Sequence, residues 1–249
     1  MKPALLMRYT TFRRESSSSE AQPVHIGHFG VGLAAKRMAP RTSLATLVAA
    51  AFFLDVQWPL AHWLEHRMAR VDPCTMALTR VDLGPYFHSL LMALVWSAVL
   101  ALAYRARTRY AAGAVAVGLA VLSHWLLDFI SHDPDLSLAP GLAILVGLGL
   151  RDSSIASPTI EGALFIAGLA LYLRTTRAKG WAGHVSLWST VGLLALVFFM
   201  HFVGYHHHLR FAVESPRFFP FAVLALMIWL VLVDRTRTLR TAPEALTDA

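Results

Sequence analysis

Charge is what this sequence has least of. Only 15% of its 249 residues are Asp, Glu, Lys or Arg, while 56% are hydrophobic. An ordinary globular domain carries about 25% charged residues. The deficit is concentrated in runs at 43–64, 88–104, 110–130, 159–173, 184–203 and 218–233, and the first is interrupted only by Asp55 and His62. Six such runs leave too little polar surface for a water-soluble helical bundle. Strict alternation of apolar and polar residues is also missing, which excludes a membrane barrel. The single cysteine, Cys74, excludes a disulfide framework within the chain. The net charge of +7 comes from short clusters between apolar runs, with no basic stripe interleaved with aromatics, so no nucleic-acid partner is expected. Residues 1–22 are polar, include Ser16-Ser17-Ser18-Ser19, and are expected to form a disordered tail with no signal sequence.

What remains is an all-α, polytopic membrane bundle whose main partner is the lipid bilayer. Most runs approach the roughly 20 residues a helix needs to cross hydrocarbon, and an isolated span must satisfy its own backbone. The sequence predicts about six transmembrane helices within one membrane domain at 23–236, followed by a cytoplasmic tail at 237–249. A short N-terminal half-helix is expected from the 12 apolar residues at 24–35. Four basic clusters then fall on one side: Lys36/Arg37/Arg41, Arg105/Arg107/Arg109, Arg174/Arg177/Lys179 and Arg235/Arg237/Arg240. The other side holds Arg67, Arg70, Arg80, Arg151, Arg210 and Arg217. Twelve against six places the clusters in the cytoplasm. The apolar segment at 138–150 is 13 residues long and contains Pro140 and Gly141. Were it a span, the count would level at nine against nine, so a re-entrant or interfacial element is expected there.

Ionisable residues inside such helices are expensive and mark function. With this topology Asp55, His88, His124, Asp128 and Glu161 converge near the non-cytoplasmic face. His124 and Asp128 are spaced i, i+4 and share a helix face, where a cation can bridge them. Imidazole with carboxylate suits zinc, manganese or iron, and zinc is the first expectation. Glu161 is a candidate general base or orienting group. His132, with Asp133 and Asp135, follows the His124 helix and is an additional candidate. His25 and His28 open the half-helix, and the residues alone do not decide between them. His62, Glu65 and His66 are not the HExxH of zinc proteases and read as a wet helix end. The run His206-His207-His208 reads as a solvated loop, because adjacent histidines point apart on a helix.

The order of motifs resembles a known family. Gly27-His28-Phe29 is followed by Leu54-Asp55, His88-Ser89-Leu90-Leu91, Ser123-His124 with Asp128, and Ala139-Pro140-Gly141. This is similar to the YdjM-like family of inner-membrane metal-dependent hydrolases, also described as LexA-binding, over roughly residues 24 to 165. The resemblance implies that His28, Asp55, His88, His124 and Asp128 hold the metal, favours His28 over His25, and implies a bacterial inner membrane. LexA binding is not carried over. Gln57 stands where many members carry a second Asp, which suggests one metal rather than two, or a site that has lost activity. The same residue order has a thinner likeness to secreted zinc phospholipases C and single-strand nucleases. The expected function is a membrane-embedded metal-dependent hydrolase acting on a phosphoester or lipid-linked substrate near the non-cytoplasmic face. The rivals are a transporter with an ion relay and a non-catalytic structural subunit.

Overall fold

The structure, a computed structural model, describes residues 26–68, 70–71, 78–79, 82–207 and 219–240. The tail expected at 1–22, His25, Cys74 and His208 lie outside the described residues. Each of the six apolar runs is helical. The chain begins with α1 (Ile26–Met38), α2 (Leu44–Ala51), α3 (Phe53–Val56) and α4 (Trp58–Met68). Two strand fragments, β1 (Arg70–Val71) and β2 (Leu78–Thr79), precede α5 (Gly84–His88), α6 (Leu90–Thr108) and α7 (Ala111–Ser131). A hairpin of β3 (Leu136–Ser137) and β4 (Leu145–Val146) leads to α8 (Ala156–Thr175). Then come β5 (Thr176–Ala178), α9 (Trp181–His207), α10 (Phe219–Arg235) and β6 (Arg237–Leu239).

Among the described residues, α6, α7, α8 and the 181–200 part of α9 are long and apolar enough to cross a membrane. The bent pair of α2 with α3–α4 can make a fifth, and α10 contributes 17 residues of the last run. Large apolar side chains face outward on these helices, including Leu102, Ile166, Trp181 and Phe221. In water such faces would be an aggregation hazard. In hydrocarbon they are the solvent-facing side, and the chain is a helical membrane protein.

The first run is not the straight span its composition suggests. It bends by 75° between α2 and α3–α4, with no proline at the bend. Ser43 caps α2 by accepting from Thr46 N at 3.0 Å. At the other end the Ala51 carbonyl accepts a hydrogen bond from the His124 ring, which inserts at the break. An inserted side chain of this kind is a recognised cause of sharp kinks.

Helix α1 is the centre of the molecule, packed against α8, α2 and α7. Its contact with α8 is backbone to backbone: a Cβ added to Gly168 would lie 2.0 Å from the Gly30 carbonyl oxygen. Lipid offers no hydrophobic drive for helix pairing, so close approach through small residues supplies the packing. Ile26, Phe29 and Leu33 of α1 join Leu44, Val48, Phe165, Leu187, Leu194 and Leu230 in one core. A second core lies between the α2–α3 break and α6–α7, around Leu54, Val117, Val121 and Trp125.

The basic clusters gather at one end. Lys36 at the end of α1 pairs with Asp234 at the end of α10 at 2.8 Å. Strand β5 after α8 pairs antiparallel with β6 after α10. The Tyr104 hydroxyl donates to Thr42 Oγ1 at 3.0 Å, and Arg41 lies over the Tyr110 ring, bringing in the α6–α7 turn. The 138–150 segment does not span. Instead it is the β3–β4 hairpin region, held to the start of α6 by Leu91 N donating to Leu138 O at 3.0 Å. Residues 237–239, expected within the tail, form β6, with Arg237 buried and hydrogen-bonded to Thr176 and Gly183.

Candidate metal centre

Five side chains from four helices meet at the end of α1 away from the basic loops. His28 is the third residue of α1 and fully buried. Glu161 of α8 fixes that helix end, its Oε2 accepting from Gly27 N in the first turn. Asp55 sits on α3, just beyond the bend. His88 ends α5, where Ser89 turns extended and caps α6, its Oγ accepting from Met92 N at 3.4 Å. His124 and Asp128 lie one turn apart on α7, both buried.

His124 organises the group. Its Nδ1–H donates to the Ala51 carbonyl at 2.7 Å, which leaves Nε2 as the atom facing the carboxylates. This is how a ligating imidazole is normally oriented, its second nitrogen bound to a backbone carbonyl. From Nε2 it is 3.2 Å to Asp128 Oδ2 and 3.3 Å to Asp55 Oδ1. His28 Nε2 lies 3.5 Å from Asp128 Oδ1. His88 Nε2 approaches Asp128 Oδ2 to 2.6 Å, a hydrogen bond.

These residues fit a divalent metal on two grounds. First, His124 Nε2 and Asp128 Oδ1 are buried without a hydrogen-bond partner, a costly state for polar atoms in a low-dielectric interior. Second, two of the four separations, 3.3 and 3.5 Å, exceed a normal hydrogen bond. They come instead close to the edge of a tetrahedron around zinc, about 3.3–3.5 Å for ligand bonds of 2.0–2.1 Å. Two ligand groups satisfy the distances, His28/His124/Asp128 and Asp55/His88/His124. Both use His124, whose Nδ1 is committed to Ala51, so together they describe one centre rather than two.

The remaining candidates separate from this group. Glu161 binds the backbone beside His28, which places it as a support for α1. His132 faces Asp135, Nδ1 to Oδ1 at 3.1 Å, on the loop after α7. Outside the membrane-spanning helices, burial alone would raise the Asp135 carboxyl, but His132 and Arg151 hold it below the usual carboxylate range. His62 and His66 meet each other at 3.0 Å on the exposed side of α4, beside Trp58 and apart from the five. The side chains of His206 and His207 lie outside the described residues. Three features escaped the sequence reading: the Ala51 carbonyl, the break at Phe52, and the Lys36–Asp234–Arg237 cluster at the opposite end. A signal existed for the last, since Asp234 ends an otherwise apolar run at the depth of the basic clusters.

Fold and site together define a polytopic helical membrane protein with a buried His/Asp centre able to hold a metal ion. No family model, no curated protein and no solved structure matches the chain.

Proposed function

We propose that this protein is a membrane-embedded, metal-dependent hydrolase, with zinc as its first-choice ion, acting on an amphiphilic phosphoester. The observation that carries this reading is the set of five side chains around His124 Nε2 and the two carboxylates it faces. His28, Asp55, His88, His124 and Asp128 would hold the ion. A divalent metal at such a centre supplies Lewis acidity towards an ester oxygen and a source of hydroxide near neutral pH. The chain's own residues do the rest. His28, His124 and Asp128 are closed off from solvent, whereas the side chains of Asp55 and His88 are 34% and 25% exposed. The open side of the centre is therefore the one that Asp55 and His88 line. Helix α4 continues from Asp55 with Trp58, Leu60 and Trp63 exposed, an apolar and aromatic surface suited to the membrane interface. That surface supports a substrate with an acyl or prenyl tail, whose polar group would meet the centre from the open side.

The positive-inside rule assigns the basic end to the cytoplasm, so the centre would open to the other side of a bacterial inner membrane. The ordered motifs shared with the YdjM-like family support the hydrolase class and that location. An ion relay needs a polar route across the membrane. The apolar core of Phe29, Leu33, Leu44 and Val48 separates the centre from Lys36, which weighs against it. One observation favours a structural reading: the 2.6 Å His88–Asp128 hydrogen bond needs no metal to form.

Elemental mass spectrometry of detergent-purified protein separates these readings. About one zinc, manganese or iron per chain is expected for wild type, lost from folded His124→Ala and Asp128→Ala. Hydrolysis of a chromogenic phosphodiester in mixed micelles should disappear with the metal and return on reloading. Wild type that holds no metal after reloading would overturn the hydrolase.

A further inference from the structure

At the basic end of α1 a cavity of about 170 Å³ is lined by Lys36, Pro40, Thr176, Asp234, Arg237, Thr238 and Leu239. That is more than ten times the roughly 10–15 Å³ one water needs. Its charged lining is two cations against one carboxylate, and the carboxylate is already used. Asp234 Oδ1 accepts from Lys36 Nζ at 2.8 Å, and Oδ2 accepts from Leu44 N. Arg237 is 7% exposed, and among the described residues it has no carboxylate within ion-pair distance. Instead it donates to neutral oxygens: Nε to Thr176 Oγ1 at 3.0 Å, Nη1 to the Gly183 carbonyl and Nη2 to the Thr176 carbonyl, both at 3.2 Å. Those bonds use three of the five guanidinium N–H groups. Arg240 Nε reaches the same Thr176 carbonyl at 3.4 Å, so two cations converge on one neutral acceptor. Burial pushes the Arg237 guanidinium below its ordinary range, the mark of a cation short of compensating charge.

We infer that this cavity is a binding site for a phosphate group, carried by the headgroup of an anionic phospholipid in the leaflet facing the basic loops or by a free phosphate. Three observations select a phosphate. Arginine's planar fork matches phosphate oxygens, and two of its donors remain for them. Lys36, which keeps one N–H donor beyond Thr42 O and Asp234 Oδ1, also lines the cavity, as does the exposed Thr238. The position is also right for lipid, because basic pockets between membrane helices on the cytoplasmic side take anionic headgroups. The site stands independently of the proposed hydrolase, lying about 12 Å along α1 from His28 by helical rise.

The test uses the full chain in detergent, with phosphatidylglycerol, phosphatidylcholine and inorganic phosphate added separately. Thermal unfolding and native mass spectrometry are the readouts. Phosphatidylglycerol should raise the unfolding midpoint and stay bound, while phosphatidylcholine does neither. Arg237→Gln should weaken the interaction roughly fivefold or more. Thr238→Asp, at an exposed rim position, should weaken it similarly without disturbing the fold, and decides the matter if the arginine variant misfolds. Inorganic phosphate reproducing the shift would assign the pocket to the free anion. A phosphatidylglycerol effect unchanged in Thr238→Asp, or matched by phosphatidylcholine, would overturn the site. Metal content should stay at the wild-type level in both variants, so failure here is distinct from failure of the hydrolase.

Discussion

Helix α1 carries a polar cluster at each end, and the two are assembled differently. At its start, His28 enters a group of three imidazoles and two carboxylates in which His124 Nε2 and Asp128 Oδ1 are buried without hydrogen-bond partners. At its end, Lys36 donates to the Thr42 carbonyl and to Asp234, each at 2.8 Å, and Arg237 donates three hydrogen bonds. The second cluster binds chain segments together: α1 and α10 end there, α2 begins there, and the β5–β6 pair lies beside them. In the first, two carboxylates face a buried imidazole nitrogen that has no hydrogen-bond partner. A fold does not gather acceptors in a low-dielectric interior for its own stability. The lesson is that buried atoms of ligating type left without hydrogen-bond partners point to a ligand, whereas the paired Lys36 and Asp234 hold chain segments together.

The largest test removes the element both ends share. Gly168→Leu places a side chain where a Cβ already lies 2.0 Å from the Gly30 carbonyl. The α1–α8 contact cannot absorb this through a flexible side chain, and overpacking costs about 3 kcal/mol or more where backbone must move. Both clusters should fail together, seen as a lower unfolding midpoint and lost metal. If Gly168→Leu keeps the metal and the midpoint, α1 is not held as described.

Asp128→Asn then separates the two ends. Outer-sphere partners alone cost 10–100-fold in metal affinity, so loss of a ligand should cost more than about 100-fold. Stability without metal should change by less than about 1 kcal/mol, because the amide keeps the shape and relieves a crowded carboxylate. Metal titration and unfolding in chelator measure the two parts. The opposite pattern, intact metal with a destabilised apo form, would make this cluster architectural like the other.

Lys36→Met reverses the expectation. Breaking a buried pair leaves an uncompensated charge, here Asp234, at a cost of about 3 kcal/mol. The double variant Lys36→Met with Asp234→Leu should recover most of that loss, as apolar replacement of buried pairs does. Metal content should be unchanged in both, because the apolar core lies between the ends. A double-mutant unfolding cycle supplies the coupling.

How much of this was legible in the sequence follows from which forces act locally. The helices were, because backbone satisfaction in lipid converts an apolar run into a helix whatever surrounds it. The His124–Asp128 pair was, because i, i+4 is fixed by helix geometry. The bend after Ala51 was not, since no proline marks it. It accompanies a hydrogen bond from a residue 73 positions away. Nor was the role of Arg237, read as the start of a tail until its acceptors on Thr176 and Gly183 are seen. Depth was legible and partners were not: Glu161, read in sequence as a general base or an orienting group, accepts from Gly27 N beside His28.

The smallest expected effect sharpens the boundary of the centre. Asp135 lies four residues beyond the end of α7, facing His132 at 3.1 Å and Arg151 at 3.7 Å, and its side chain is 53% exposed. Its carboxyl is held below the usual range in the folded protein, so the folded state favours the ionised form. By linkage this contributes stability that is fully present above the unfolded carboxylate value of about 4 and is lost as pH falls through the lower folded value. Solvent screening keeps such exposed pairs small. Asp135→Asn should therefore lower the unfolding midpoint slightly at pH 7, and the difference should shrink as pH falls through the folded value and vanish below it. Metal affinity should be unaffected, since His132 and Asp135 stand apart from the five residues around His124. A fall in metal affinity in Asp135→Asn would extend the centre onto this loop and return His132 to the set of ligands.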